Sequence, residues 1–74
     1  MNKDVIIKLG KKIKHLREEK NLTQESLALS IDVDKSYIGR IERAERYVNI
    51  KVIIKIADVL EVEAKDLFNF DELT

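Results

Sequence analysis

Two short amphipathic segments with only Asp32 and Val33 between them constrain this chain more than any other feature in it. Leu27, Ala28 and Ile31 recur at helical spacing, and Ile38 and Ile41 do the same further on. The Thr23 hydroxyl stands where it can cap the first segment, and Asp34 where it can cap the second. So short a connection forces a sharp turn, and Asp32 occupies the point that needs a left-handed backbone, which Asp tolerates better than most residues with a β-carbon. Val33 then returns toward the core. Ala28 agrees with this geometry, because steeply crossing helices come close near their turn and a larger side chain would push them apart. The spacing therefore predicts two helices joined by a tight turn, with the rest of the chain as support.

A chain of 74 residues makes one domain, 1–74, and buries only about 60% of the surface it exposes when unfolded, so its stability is expected to be modest. With 45% hydrophobic and 38% charged residues the composition fits a packed helical domain and excludes a disordered chain. Proline is absent and both glycines fall inside predicted helices, which favours an all-α fold. The net charge is zero but unevenly spread: seven basic against three acidic residues over 1–20, four against five over 21–49, and three against six over 50–74. A basic front and an acidic back can steer one face toward a polyanion; the lysines of the first helix serve equally as a solvated surface. Without cysteine there is no disulfide framework, thiolate nucleophile or thiol sensor. No segment has the length of uninterrupted apolar sequence that a membrane span needs, and the expected location is cytoplasmic.

Through Leu22-Thr23-Gln24-Glu25, Ala28, Val33, Tyr37-Ile38 and Ile41-Glu42-Arg43, the sequence resembles the lambda-repressor and Cro-like helix-turn-helix family over most of its length. The run Asp34-Lys35-Ser36-Tyr37-Ile38 with Ile41-Glu42-Arg43 and Arg46 is similar to the controller proteins of restriction–modification systems within that family. It departs from them in carrying Gly39-Arg40 where they tend to have serine then glycine, and Tyr47-Val48 in a loop that is usually more polar. The resemblance implies a compact five-helix DNA-binding domain with its helix-turn-helix at helices 2 and 3. It also implies that Arg17, near the end of the first helix, pairs with Glu42 as a structural ion pair, and that the loop arginine, Arg46, reaches a base or the backbone beside the groove.

Taken in order, the first helix is expected from Asp4 to about Lys20, with Ile6, Leu9, Ile13 and Leu16 along one stripe. Gly10 within it marks either close packing or simple tolerance. His15, the only histidine, has no second histidine or cysteine with which to hold a metal, so no metal site is expected. Asn21 is a helix terminator. Gln24 opens the next helix, whose unpaired amides and positive dipole suit a phosphate, the Gln24 side chain adding a donor. The recognition helix is placed at about 35–43. With Ile38 and Ile41 turned inward, Lys35, Ser36, Gly39, Arg40 and Arg43 fall on the outward side. Lys35 and Arg40 can donate to guanine, Ser36 to several base edges, and Gly39 would let the backbone approach the bases. Tyr37 lies on the flank, within reach of a phosphate. For Arg40 and Arg43 the plain alternative is an exposed charged face partnered by Glu42 and Glu45. Residues 44–49 read as a loop, Asn49 caps a helix over Ile50–Leu60, and that helix end offers a second phosphate site, seconded by Lys51.

The C-terminal stretch, about 60–74, reads as a short fifth helix and an apolar-acidic tail, and is the candidate dimer interface through Val62, Leu67, Phe68 and Phe70, with Leu73 beyond. Leu67 and Phe68 could instead close the core of one subunit. The expected partners are a double-stranded DNA operator and a second copy of the chain, with no membrane, cofactor or small-molecule effector. The expected function is a transcription factor that binds a palindromic operator as a homodimer and regulates its own restriction–modification operon. A phage-type repressor or antitoxin with the same fold, or an interaction module without DNA binding, are the alternatives. No enzyme is expected: metal-ligand clusters, cysteine and glycine-rich phosphate loops are all missing from the sequence.

Overall fold

Four α-helices, α1 (Lys3–Glu19), α2 (Gln24–Ser30), α3 (Lys35–Glu42) and α4 (Ile50–Leu60), lead into a short 3-10 helix, Ala64–Phe68, in a computed structural model that describes residues 2–70. The expected fifth α-helix is corrected to that 3-10 turn. It is five residues long, a length at which the tighter winding is common, and it is held by the Asp66 side chain, which accepts from the Glu63 N–H at 2.9 Å.

The helix starts follow side-chain chemistry. Asn2 accepts from Val5 N–H at 3.0 Å, and Asn49 from Val52 N–H at 3.0 Å. At α2 the Thr23 hydroxyl accepts from Ser26 N–H at 3.0 Å while the Ser26 hydroxyl accepts from Thr23 N–H at 2.9 Å, a reciprocal box. Asp34 departs from expectation: its backbone is in the capping conformation, yet its carboxylate makes no cap hydrogen bond and lies 3.4 Å from the Ser36 hydroxyl.

All four α-helices stop in the same way. Asn21, Asp32, Ala44 and Glu61 each adopt φ near +60°. The next residue then reaches back five positions with its N–H: Leu22 to Arg17 O at 3.0 Å, Val33 to Ala28 O at 3.0 Å, Glu45 to Arg40 O at 2.8 Å, and Val62 to Ala57 O at 3.0 Å. Three of these following residues, Leu22, Val33 and Val62, are apolar and fold against the core. The fourth is Glu45, which is exposed.

One core serves the whole domain. Leu9 and Ile13 of α1, Leu27 of α2, Ile38 and Ile41 of α3, Ile53, Ile56 and Leu60 of α4, and Leu67 of the 3-10 helix are all fully buried. The α2 and α3 helices pack on each other around Ala28, and α1 lies across α3 and the 3-10 helix. Gly10 settles its own question in favour of close packing: a β-carbon there would lie 2.5 Å from Ile41 O and 2.9 Å from Glu42 O, both backbone atoms of α3. Lys12, read among the solvated lysines of α1, is only 2% exposed; standing three residues after Leu9, it borders the buried stripe.

Of the expected dimer-interface residues, Leu67 takes its other reading, inside the core of one subunit. Leu67 is 0% exposed in a single chain, so its side chain is already spent on the subunit's own core. Val62 is half-buried against that core as part of the α4 stop. Phe68 keeps 36% of its surface and meets Phe70 edge-on at 6.4 Å, with Lys8 over the Phe70 ring at 6.0 Å. Leu73 lies outside the described residues.

Candidate nucleic-acid interface

The outward side of α3 is positioned by a polar junction beneath it. Arg17 of α1 grips Glu42 at the end of α3 through two hydrogen bonds, Nε to Oε2 at 2.7 Å and Nη2 to Oε1 at 3.0 Å. Its third donor, Nη1, reaches Leu22 O at 2.7 Å, where the chain leaves α1. Gln24 of α2 completes the knot, donating from Nε2 to Glu42 Oε1 at 3.0 Å. The Arg17 and Glu42 side chains retain 9% and 3% of their exposure, so three helices are joined by a nearly dry, charge-assisted network. Donation to the Glu42 carboxylate raises the Arg17 pKa above its usual value, and the guanidinium stays charged.

Above this junction Lys35, Ser36 and Arg40 point into solvent, each exposed. Tyr37 is half-buried on the flank, and the Arg46 guanidinium stacks on its ring with 4.9 Å between the guanidinium carbon and the ring centroid. The loop that carries Arg46 is pinned by Val48, which is 8% exposed. As a result Ser36, Tyr37, Arg40, Arg46 and Asn49 line one open groove, floored by Val33 and Val52. Asn49 lies at the mouth of α4 with Oδ1 already engaged as the helix cap, and exposed Lys51 follows it.

The other flank differs from the expected picture. Gly39 is buried, because the space its missing β-carbon leaves is filled by side chains: a β-carbon would lie 2.9 Å from Arg43 Nη1 and 3.4 Å from Gln24 Oε1. Gln24 is turned inward to Glu42 and does not stand free at the start of α2. Arg43 is exposed but folded back along α3, with Nε and Nη2 each 3.2 Å from an oxygen of Glu45. That hydrogen bond, then the charge of Arg43 and that of Arg40, hold the Glu45 carboxyl below the usual carboxylate range. The contact between Arg43 and Glu45 had no periodic signal, since a spacing of two does not bring residues together within a helix; it forms only because the chain reverses at Ala44. His15, on the far part of α1, lies 3.4 Å from Glu19.

A short helix presenting cationic and polar side chains, braced from behind and crossed by a second helix at its N-terminal side, defines the helix-turn-helix class of DNA-binding proteins. The helix-turn-helix family model matches residues 13–67, and the chain belongs to this family as a DNA-binding transcriptional regulator. Among its relatives it is similar to control protein C.BamHI of Bacillus amyloliquefaciens, at 38% identity over 71 residues, covering 95% of this chain and 88% of that one. The fold superposes with TM-score 0.83 on the restriction-modification controller protein C.AhdI from Aeromonas hydrophila, at 40% identity, covering 85% of this chain and 96% of the other. A third similar protein, the controller C.Esp1396I, was solved as a tetramer in complex with its natural 35 base-pair operator, with TM-score 0.77 and 39% identity over 86% of this chain and 84% of that one.

Proposed function

We propose that this chain is a self-regulating controller of a restriction–modification operon, binding a palindromic operator as a homodimer with one α3 in each of two successive major grooves, about 34 Å apart. The observation that carries the reading is the groove on which Ser36, Tyr37, Arg40, Arg46 and Asn49 converge, with Lys35 beside it and Lys51 beyond. Arg40 suits a guanine edge, Lys35 and Ser36 neighbouring bases, and Tyr37, Asn49, Lys51 and the α4 N-terminus the phosphates. The likeness to controller proteins, one of them solved on its operator, supports the same target class. Regulation then follows concentration: subunits pair, pairs bind, and neighbouring sites fill in turn.

A gel-shift titration against the DNA upstream of the chain's own gene tests this reading. Arg40→Ala is expected to weaken operator binding by about tenfold to a hundredfold, as loss of one base-reading arginine does, while leaving binding to unrelated duplex nearly unchanged. Equal losses on both DNAs would remove Arg40 from base readout, and no shift at low salt would remove the function.

For pairing, the sequence pointed to Phe68 and Phe70, and the surface of α4 adds Ile50 and Ile54, 64% and 51% exposed and one helical turn apart. Within the run Ile50–Leu60 so many positions are apolar that periodicity alone does not reveal which isoleucines stay outside. Ile54→Lys is expected to shift sedimentation from dimer to monomer and to weaken operator binding at least tenfold without lowering helix content; an unchanged dimer would move the seam elsewhere.

A further inference from the structure

The α3 stop differs from the other three in one respect, and the difference bears on the DNA-facing surface. After Asn21, Asp32 and Glu61 the chain places an apolar residue that folds into the core; after Ala44 it places Glu45. The backbone bond from Glu45 N–H to Arg40 O, at 2.8 Å, fixes where this residue begins. Its carboxylate then turns back over α3 and takes the Nε and Nη2 donors of Arg43 at 3.2 Å each. Nη1 of the same guanidinium is laid over Gly39, 2.9 Å from where a β-carbon would stand. Glu45 thus occupies one hydrogen-bonding edge of the guanidinium, and Gly39 receives the other end.

We propose that Glu45 is an internal competitor for DNA: its carboxylate stands in for a phosphate or base edge and holds Arg43 folded against α3 until a better acceptor displaces it. This rests on the DNA-binding reading of the same surface. Two exposed partners, 57% and 55% for Arg43 and Glu45, make the hold weak enough to be displaced. On unrelated duplex a phosphate offers Arg43 a bidentate contact no better than the two oxygens it already holds, so Arg43 stays folded; on a matched site a base edge aligned by the rest of the interface draws it out. Glu45 therefore lowers affinity for all DNA and keeps one cation out of the non-specific complex.

The opposite role is equally definite and gives the test its second arm. A carboxylate that braces an arginine for base contact would strengthen binding, and its loss would weaken it. The experiment is a fluorescence-anisotropy titration of a labelled 20-base-pair duplex of arbitrary sequence at several salt concentrations, using wild type, Glu45→Gln, Arg43→Gln and the double variant. Glu45→Gln is expected to bind about three- to tenfold more tightly, with log K falling about 0.9 more steeply per log salt, the signature of one added phosphate contact. In the Arg43→Gln background the gain should shrink to less than about twofold, because no guanidinium remains to be released. Weaker or unchanged binding by Glu45→Gln, or an undiminished gain without Arg43, would overturn the competitor role. Failure of wild type to bind any duplex at low salt would instead overturn the DNA-binding reading itself. Both side chains are exposed, so thermal melts of the variants should match wild type within a few degrees and exclude misfolding.

Discussion

Glu42→Ala is expected to remove a large share of the domain's stability. The substitution strips the Arg17 guanidinium of two hydrogen bonds and the Gln24 amide of one, in a place where water has little access. Removing one partner of such a buried pair costs about 3–5 kcal/mol, because the remaining charge keeps its desolvation penalty and loses its compensation. A domain of this length holds a total stability of only about 4–11 kcal/mol. The melting temperature should fall by on the order of 20 °C, read by far-ultraviolet circular dichroism. Whatever folded fraction remains should prefer the same DNA sequence as wild type, since Glu42 lies behind α3 and not on its outward side. A variant of normal stability with altered sequence preference would show that the junction reads DNA instead of bracing the reader.

The second large effect is expected at Gly10. In an isolated helix Gly→Ala is favourable by about 1 kcal/mol. Here the added methyl would press on Ile41 O and Glu42 O, backbone atoms that can withdraw only if α1 and α3 separate. Overpacking of that kind costs about 1–3 kcal/mol and sometimes more, and this contact, well inside van der Waals distance, belongs at the upper end. A net loss of about 2 kcal/mol in urea unfolding is the expected result for Gly10→Ala. Gly39→Ala is its control: there the neighbours are the movable ends of Arg43 and Gln24, so the helix gain should survive and stability should hold or rise. If both substitutions stabilised the domain equally, the close approach of α1 and α3 would be disproved.

How far the sequence reveals these features depends on the range of the interaction that makes them. Thr23 and Asn49 as caps, Asp32 in the left-handed turn and the inward set Leu27, Ala28, Ile38 and Ile41 are local consequences of spacing and side-chain type, and they are legible. Gly10 was ambiguous for a physical reason. A glycine in a helix shows its cost in the sequence, but the backbone that explains it belongs to a helix more than thirty positions away. Lys12 was misplaced, and Leu67 left open between core and interface, because a stripe's edge, and the inside of a short C-terminal turn, are decided by what packs against them. At the DNA-facing surface the residue types were legible, as was Glu45 as a partner for the arginines, whereas the geometry of these engagements was not. Gln24 turns to Glu42 and Arg43 to Glu45, and neither pairing follows a helical period.

The four helix stops carry a consequence beyond geometry. The chain keeps both its glycines inside helices and closes every α-helix with a residue that bears a β-carbon. At Ala44 and Glu61 no short polar side chain eases the left-handed backbone, and each such residue holds about 1 kcal/mol or more of strain relative to glycine. The native state therefore sits nearer its melting point than its hydrophobic pattern requires, in a chain already short of core. Proteins with so narrow a margin visit their unfolded state often enough for proteases to act on it. If the chain regulates by concentration as proposed, clearance through the unfolded state then becomes as direct a means of resetting its level as shutting off its synthesis.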